Sequence, residues 1–533
     1  MLIIKKPFFL SLLSGVLLSL CWPTYGVTIL VFIALLPLLQ MEAIFSYKKN
    51  RFAFVAYSFL TFLIWNLSTT WWLINASIVG MLFANLCNSL FYTLVFVLFH
   101  WVKKRLPLRS AYIFLVSLWL AFEKLHLFWD LSWPWLHLGH AFADKIYWIQ
   151  WYEYTGVAGG SLWVLLINIG LFEVLKKYLS HPRIVLIKNT IPWLLMLALP
   201  IVFSFHLYNQ VPSGTEKINM VLVQPNVDPY TEKYGQTNAD FFKAFEEQIR
   251  EHISGATDYI ILPETYFSDG NGIQLKTYAQ SDLHFAFQSF LGDYQNTEII
   301  SGIQFYDLYR SQKAPTLTAN KIRNGIWADF YNSAVREHYQ SPIEVYHKSK
   351  LVVGVENLPF KSILNPLIGS VLLDMGGTVA SRVTQSKRTV FEHNSKAVVA
   401  APIICYESVY GAFVSDYVKQ GATFLAIISN DAWWDNTEGH RQLLRYTQLR
   451  AIETRRAIAR SANTGISALI NARGELVNSL PYGQKGVLNA SLFSRNNLTF
   501  YTQYDDMLYR WAAFVFILLF LLAISGRLKA NKD

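Results

Sequence analysis

Long apolar runs separated by short polar segments fill the first part of the chain. They fall at 7–22, 26–45, 52–73, 80–102, 108–124, 161–178 and 189–208, and one more lies near 508–526. Since a helix needs ~20 apolar residues to cross a bilayer, the shorter runs must tilt or end in the membrane interface. The pattern predicts a multi-span α-helical membrane bundle of about seven spans, with a final span at the C-terminus.

The stretch between the seventh and eighth runs has the shorter pattern of a water-soluble domain. Strand patterns at 218–223, 259–262, 298–303, 398–404, 424–429 and 466–470 alternate with helical patterns such as 239–252 and 441–460. Such alternation predicts a mixed α/β fold. We therefore divide the chain into a membrane domain at 1–210, a soluble domain at 215–495, and a membrane helix with a tail at 505–533.

The composition supports a membrane protein and argues against two other classes. Hydrophobic residues make up 53% of the chain and charged residues only 15%, while Phe, Trp and Tyr reach 16%, which suits membrane interfaces. The net charge of +10 forms no continuous basic face, which argues against nucleic-acid binding. Three cysteines, two of them in apolar runs, rule out a disulfide scaffold and leave Cys405 as the only thiol of the soluble domain.

The basic residues predict how the chain is oriented in the membrane. Lys and Arg cluster at 5–6, 48–51, 103–109, 176–188 and 527–532. When the chain is threaded through its spans, these clusters fall on one side, which the positive-inside rule assigns to the cytoplasm. Both termini are then cytoplasmic, and 215–495 lies on the outer, periplasmic face of a bacterial inner membrane.

An aromatic segment at 128–139 interrupts the series of spans. Pro134 argues against a continuous helix there, so we expect an interfacial or re-entrant segment on the outer face. Its aromatic rings, among them Trp135, either anchor neighbouring helices or contact a bound lipid. The three nearby histidines lack metal-ligand spacing and an acidic partner, so we expect no metal site: His126, His137 and His140.

Polar residues stand where buried strands end. Cys405 follows the strand pattern at 398–404, and Glu264 follows an apolar strand closed by Pro263. A thiol at a strand end has a rigid base, and N–H groups of the following turn can stabilise an oxyanion. Glu264 can take the thiol proton if desolvation brings its pKa towards neutrality. Taken alone, a lone cysteine in a core is more often a structural thiol.

A lysine at a further strand end completes the candidate site. Lys348 and Lys350 both follow an apolar strand, and either ammonium can lower the pKa of a nearby thiol and stabilise a tetrahedral oxyanion. Spacing alone does not choose between them. Glu356 can pair with the lysine or orient Glu264, and a surface ion pair is the alternative.

Further segments flank these strand ends. Asn430 and Asp431 can hold a turn through hydrogen bonds from side chain to backbone, and the indole of Trp433 can wall a pocket. The segment 370–388 is rich in Gly, Ser and Thr without a period, which predicts a mobile loop that can act as a lid. Arginines on the helix predicted at 441–460 indicate a structural ion-pair network.

The chain order Glu264, Lys348 and Cys405 resembles the Glu-Lys-Cys triad of the nitrilase superfamily. Several flanking segments are similar to those of the apolipoprotein N-acyltransferase family: Trp133-Pro134-Trp135-Leu136-His137-Leu138-Gly139, Tyr346-His347-Lys348 with Leu351 and Glu356, Cys405-Tyr406-Glu407, Asn430-Asp431-Ala432-Trp433, and Ser461-Ala462-Asn463-Thr464-Gly465-Ile466-Ser467. The order of spans and soluble domain is similar too, so the resemblance covers essentially the whole chain.

The resemblance implies a fold and a set of site residues. The fold is a nitrilase-like four-layer αββα sandwich joined to a helical membrane bundle. Lys348 is selected over Lys350, because its distance to Glu356 matches the family. The N–H of Tyr406 would join the lysine in holding the oxyanion, and Glu356 and Glu407 would support the triad.

The reaction implied is a two-step acyl transfer. An acyl chain would pass from the sn-1 position of a phospholipid such as phosphatidylethanolamine, through a Cys405 thioester, to the α-amine of the diacylglyceryl-cysteine of an apolipoprotein. Trp433, Trp135 and Asn430 would border the lipid path. We expect a monomer with no metal and no organic cofactor.

Two segments depart from the family pattern, and two other functions remain as alternatives. The family commonly has Pro-Phe-Gly-Glu at the place of 353–356, and Tyr230 or Tyr234 stands in for a tryptophan after the first strand. The alternatives are a membrane-anchored nitrilase-like amidase or hydrolase, in which water resolves the thioester, and a non-catalytic membrane scaffold that binds lipoproteins.

Overall fold

The structure is a computed structural model that describes residues 6–48, 50–177, 183–212, 214–228, 232–233, 235–270, 272–357, 359–360 and 381–526. The chain divides into two compact units. A helical unit comprises 1–74, 78–210 and 504–533, and an α/β unit comprises 75–77 and 211–503. Tyr230, Tyr234 and most of the predicted lid at 370–388 lie outside the described residues.

The helical unit has a helix at each position where the hydropathy pattern predicts a span. Six helices in the described part of the chain are long and apolar enough to cross a membrane: Thr28–Tyr47, Arg51–Asn75, Ile78–Lys103, Val157–Lys177, Lys188–Gln210 and Met507–Ser525. A shorter apolar helix covers Pro7–Leu20, and another helix covers Leu108–Leu125. These long apolar helices confirm the prediction of a membrane protein.

Secondary structure divides this unit more finely than the hydropathy pattern does. The span Thr28–Tyr47 begins with a 3₁₀ turn, Thr28–Phe32, and its α-helix starts only at Leu36. The α-helices of the unit are α1 (Pro7–Leu20), α2 (Leu36–Tyr47), α3 (Arg51–Thr70), α4 (Ile78–Lys103), α5 (Leu108–Leu125), α6 (Val157–Lys177), α7 (Arg183–Gln210) and the C-terminal helix Met507–Ser525.

The aromatic segment after α5 forms short turns instead of a helix. Pro134 begins a three-residue 3₁₀ turn, Pro134–Leu136, and a second turn covers Leu138–Phe142. Proline lacks the N–H that a continuous helix would need, which explains why the segment is broken there. Trp135 is fully buried within the helical unit, where its ring lies 5.1 Å from that of Trp72.

The α/β unit contains two β-sheets. Its strands are β1 (Lys217–Gln224), β2 (Tyr259–Ile261), β3 (Ile273–Gln274), β4 (Glu298–Arg310), β5 (Asn320–Arg323), β6 (Ile326–Glu337), β7 (Glu344–His347), β8 (Phe391–Glu392), β9 (Val399–Ile404), β10 (Phe424–Ser429), β11 (Ile458–Ala462), β12 (Ser467–Ile470), β13 (Leu476–Leu480) and β14 (Gly486–Phe493). The first sheet has the order β14-β1-β2-β4-β6-β5, with β3 paired to β4 and β7 paired to β6. The second has the order β13-β12-β11-β10-β9-β8.

The central strands of both sheets are parallel and buried on both faces. β1, β2 and β4 are parallel in the first sheet, and β9, β10 and β11 are parallel in the second. Strands covered on both faces have continuous apolar runs instead of an alternating pattern. The carboxyl ends of parallel neighbours lie at the same edge of a sheet, so residues that follow β9, β10 and β11 are brought together there.

The two sheets pack face to face between two layers of helices. The ring of Tyr259 in β2 lies 5.1 Å from that of Phe424 in β10, and Ser461 Oγ donates to the carbonyl oxygen of Val223 at 2.8 Å. The outer layers consist of α8 (Asn238–Ile249) and α9 (Asp282–Gly292) on the first sheet, and α10 (Gly411–Lys419) and α11 (Glu438–Thr454) on the second. The predicted αββα sandwich is therefore confirmed.

The helix predicted at 441–460 ends earlier than the sequence suggests. α11 stops at Thr454, Arg455 adopts a left-handed backbone with φ of 50°, and Ile458 begins β11. Arg460 therefore lies on a strand, fully buried, where it donates to both carboxylate oxygens of Asp431 at 3.1 and 2.8 Å. The residue that ends a helix in a left-handed conformation is usually glycine. Because arginine stands at this position, the sequence does not indicate that the helix ends there.

Candidate active site

Cys405 begins a tight turn at the carboxyl end of β9. Its backbone is left-handed, with φ of 50°, and a 3₁₀ turn covers Cys405–Val409. The Ser408 hydroxyl donates to the carbonyl oxygen of Cys405 at 2.7 Å and fixes this turn. A non-glycine residue held at positive φ costs on the order of 1–3 kcal/mol, and such positions cluster at functional sites.

Glu264 follows β2 in the facing sheet and is held by three donors. Its Oε1 accepts from Lys348 Nζ at 2.9 Å and from Asn332 Nδ2 at 2.7 Å, and its Oε2 accepts from the backbone N–H of Asn430 at 3.0 Å. Gly302 in β4 makes room for this backbone: a Cβ there would lie 2.4 Å from the carbonyl oxygen of Pro263. Glu264 therefore has a fixed orientation at the edge where β10 also ends.

Lys348 bridges two carboxylates. Besides Glu264, its Nζ contacts Glu356 Oε2 at 2.9 Å. Burial lowers the pKa of Lys348, but the charges of Glu264 and Glu356 outweigh it and raise that pKa above its usual value. Burial raises the pKa of Glu356, but the charges of Lys348 and Arg382 prevail and lower it. The two carboxylates therefore favour the ammonium form of Lys348.

The environment of Cys405 favours the neutral thiol in the resting site. Burial raises its pKa most, and the charge of Glu264 raises it further. The ammonium of Lys348 and a hydrogen bond with Ser429 lower it, but not enough to reverse the shift. These mutual effects place the thiol, the carboxylate and the ammonium in one electrostatic site. Lys348 thus lowers the thiol pKa, as the sequence suggested, but burial outweighs this effect.

Glu407 joins the turn of Cys405 to the loop of Lys348. It is fully buried, and its Oε2 accepts from the backbone N–H of Ile404 at 2.8 Å. Its Oε1 accepts from Tyr346 Oη at 2.7 Å and from the N–H of Ser349 at 2.6 Å. Burial raises its pKa, and the hydrogen bonds oppose this shift. One carboxylate thus fixes both the strand that precedes Cys405 and the strand that precedes Lys348.

Comparison with known proteins shows the family to which the α/β unit is similar. The profile described as Carbon-nitrogen hydrolase matches residues 222–495, which run from the last residues of β1 through β14 and include all the residues of the site just described. The chain belongs to the carbon-nitrogen hydrolase family. A second profile, described as Apolipoprotein N-acyltransferase N-terminal domain, matches residues 14–170 of the helical unit.

Relatives match along nearly the whole chain. An apolipoprotein N-acyltransferase of Chlorobaculum tepidum is 29% identical over 95% of this chain and 94% of its own. One of Geobacter metallireducens is 26% identical over 95% of this chain and 93% of its own. The resemblance inferred from the sequence is confirmed, and so is the class of enzyme, an acyltransferase within the carbon-nitrogen hydrolase superfamily.

Among solved structures, Nit3 of Saccharomyces cerevisiae, a member of the nitrilase superfamily, is similar to part of the chain. It is 13% identical, with a TM-score of 0.36, and the match covers 52% of this chain and 91% of that one.

Three other candidate residues lie in the turns that follow β9 and β10. Tyr406 is buried, with its ring 5.3 Å from that of Tyr410. The side-chain oxygen of Asn430 accepts from Asn463 Nδ2 at 3.2 Å, which fixes the turn after β10. Trp433 is 37% exposed and lines an open cavity of about 530 Å³ together with Asn226, Asp228 and Tyr482. Trp135 belongs to the helical unit.

One residue of the site was missed by the sequence reasoning. Asn332 lies in the middle of β6, and its Nδ2 donates to Glu264 at 2.7 Å and to Glu356 at 3.2 Å. The backbone carbonyl oxygen of Asn332 also accepts from the backbone N–H of Lys348 at 2.8 Å. The sequence offered only a weak indication of its role, namely a polar residue within a strand. Lys350, the alternative to Lys348, lies with its Nζ 4.8 Å from the ring centre of Tyr410.

Proposed function

We propose that the chain transfers an acyl chain from the sn-1 position of a phospholipid, such as phosphatidylethanolamine, to the α-amine of the N-terminal diacylglyceryl-cysteine of an apolipoprotein. The observation that carries this proposal is the set of contacts around Glu264: its carboxylate binds Lys348 beside the only thiol of the α/β unit. The similarity to apolipoprotein N-acyltransferases along both units supports the choice of substrates.

In the first half-reaction, Cys405 becomes acylated. Glu264 takes the proton from the thiol as sulfur attacks the ester carbonyl carbon, because a neutral buried thiol needs a base to become a nucleophile. The negative charge that forms on the carbonyl oxygen is stabilised by the ammonium of Lys348 and by the N–H of Tyr406. The C–O bond then breaks, Glu264 returns its proton to the leaving alkoxide, and a lysophospholipid departs.

In the second half-reaction, the acceptor amine resolves the thioester. The uncharged α-amine attacks the thioester carbon, and Glu264 takes the proton that the nitrogen must lose. The same two donors hold the oxyanion while the C–S bond breaks. The thiolate of Cys405 recovers the proton from Glu264, and the product carries its third acyl chain as an amide. No metal and no organic cofactor is needed.

The substrates explain why such a site belongs to a membrane protein. Each CH₂ group of an acyl chain that leaves the bilayer costs ~0.8 kcal/mol, so a lipid with two chains cannot be drawn into water. We therefore propose that the site opens at the outer surface of the bacterial inner membrane, with both termini in the cytoplasm. The protein would work as a monomer, with Trp433, Trp135 and Asn430 along the path of the lipid.

The thioester is the decisive species for this proposal. Purified full-length protein in mixed micelles is given phosphatidylethanolamine with a labelled sn-1 chain, and its intact mass is measured. We expect a gain of one acyl group, released by hydroxylamine and absent from Cys405→Ser. Cys87→Ser, which removes a thiol of the helical unit, serves as the matched control and keeps the gain.

Addition of a diacylated lipopeptide separates the alternatives. We expect the label to leave Cys405 and appear as an amide on the peptide. Release of free fatty acid at a rate that the peptide does not change would support a hydrolase instead. A protein that binds lipopeptide but never gains the acyl group, and that tolerates Cys405→Ser, would be a scaffold and would overturn the proposal.

A further inference from the structure

Two cations that the mechanism does not use lie beside the triad. The first is Lys233. Its side chain is nearly buried, with 9% exposed, and Nζ donates to the Thr265 hydroxyl at 2.7 Å. Thr265 directly follows Glu264, so this ammonium stands next to the general base. The N–H of Lys233 donates to the carbonyl oxygen of Asp228 at 3.1 Å, which fixes the backbone that carries it.

The second cation is Arg382. Its backbone pairs with Phe330 of β6, and its N–H donates to the carbonyl oxygen of Glu356 at 3.3 Å. Its guanidinium is close enough to lower the pKa of Glu356 and that of Lys233. Its Nη1 is buried and has no hydrogen-bond partner among the residues that the structure describes. A buried donor without a partner is costly, and an acceptor on a bound ligand would satisfy it.

Three cations are clustered around the triad. The ammonium of Lys348 contacts the carboxylates of Glu264 and Glu356. Lys233 and Arg382 add two cations to this group, and the carboxylate of Glu407 also lies near Lys348. Burial lowers the pKa of Lys233 to about 8, although the charge of Glu264 opposes that shift, and a bound anion would favour its charged form.

We propose that Lys233 and Arg382 form a subsite for the phosphodiester of the acyl donor. This proposal rests on the function proposed above and adds to it how the donor is recognised. A phosphodiester carries one negative charge and is joined to the sn-1 ester through the glycerol backbone. Arginine and lysine are the side chains that bind phosphate oxygens best, arginine through a planar pair of donors. Phosphate bound here would hold the glycerol and bring the ester carbonyl to Cys405.

The experiment compares donors with and without phosphate. Full-length protein in mixed micelles receives phosphatidylethanolamine, phosphatidylglycerol or diacylglycerol with the same acyl chains, and the rate of thioester formation is followed by intact mass. For the wild type we expect both phospholipids to react with a KM about 10- to 100-fold below that of diacylglycerol, the effect of one charge-assisted hydrogen bond.

The variants then test whether the two cations cause this preference. Arg382→Gln and Lys233→Gln should raise the KM for both phospholipids by about 10- to 100-fold more than they raise the KM for diacylglycerol. Arg382→Lys, which keeps the charge but loses the planar fork, should restore part of the preference. Lys276→Gln removes an exposed cation that lies 5.6 Å from the ring centre of Tyr309, and should change nothing.

Each outcome decides the proposal. If the variants lose reaction with all three donors equally, Lys233 and Arg382 have a structural role and the phosphate subsite is overturned. The proposed acyl transfer would still stand, because the wild type performs it. A wild type that acylates diacylglycerol as well as phospholipid would also overturn it. If the wild type forms no thioester from any donor, the proposed function fails and the subsite fails with it. Should Arg382→Gln not fold, Lys233→Gln gives the same comparison from a separate segment.

Discussion

At the scale of single residues, the site is defined by the way its carboxylate is held. Three donors fix Glu264: Lys348, Asn332 and the backbone of Asn430. In the mechanism proposed above, Glu264 takes a proton from sulfur and later from nitrogen, so it has to keep one orientation through both half-reactions. Of the three donors, Asn332 is the one that can be removed without changing a charge or the backbone.

Asn332→Ala is therefore expected to slow thioester formation by about 10- to 100-fold, because a hydrogen bond to a charged group is worth ~1.5–3 kcal/mol. The rate is measured by intact mass after mixing with phospholipid. Ser333→Ala is the matched control, since its hydroxyl contacts His347 Nδ1 at 2.7 Å and successive side chains of a strand point to opposite faces. Equal rates for the two variants would show that Asn332 does not orient the base.

At the scale of elements, strand ends could be predicted and strand interiors could not. Cys405 and Glu264 each follow a continuous apolar run, so the sequence marks where the chain turns at the edge of a sheet. Asn332 lies within β6, where nothing local shows which face of the strand its side chain occupies. Only the tertiary fold shows which of Lys348 and Lys350 belongs to the site, because it places the ammonium of Lys350 over the ring of Tyr410.

A second element, helix α9, is joined to the end of β6 by a titratable contact. His284 Nδ1 lies 3.1 Å from each carboxylate oxygen of Glu337, which also accepts from Tyr278 Oη at 2.7 Å. The hydrogen bond with Glu337 raises the pKa of His284 above its usual value, against the effect of burial. The protonated histidine thus stabilises the folded protein. This stabilisation is complete below pH ~6.5, the ordinary pKa of histidine, and is lost as the pH rises through the raised value.

His284→Gln should lower the midpoint of thermal unfolding at pH ~5.5–6 and have little effect above pH ~8.5. Unfolding of the purified protein is followed across this range beside wild type. His252→Gln, which replaces an exposed histidine of the same unit, controls for the loss of a histidine as such. A deficit that grows with rising pH would contradict the assigned contact.

At the scale of the whole molecule, the α/β unit begins and ends on neighbouring strands. β1 pairs antiparallel with β14 along its entire length, from Lys217 opposite Phe493 to Gln224 opposite Gly486. The unit has its own core, in which Phe245 and Ile249 of α8 pack with Val223 and Ile260 of the first sheet. A segment with its own core and adjoining ends meets the usual description of an independent domain.

A fragment covering 211–503 is accordingly expected to fold by itself and to unfold cooperatively on heating. Calorimetry or circular dichroism measures this directly. A fragment that stops at 485 lacks β14, leaves the edge of β1 unpaired, and should be unfolded or aggregated. A longer fragment that melts without cooperativity would show that the membrane helices are needed for its folding.

The pairing of β1 with β14 bears on how such an enzyme could arise. A domain whose first and last strands are neighbours can be inserted into a loop of another protein through two short linkers. Neither fold has to change. Insertion at such a point leaves the sheets of the α/β unit complete, with the contact between Glu264 and Lys348 unchanged.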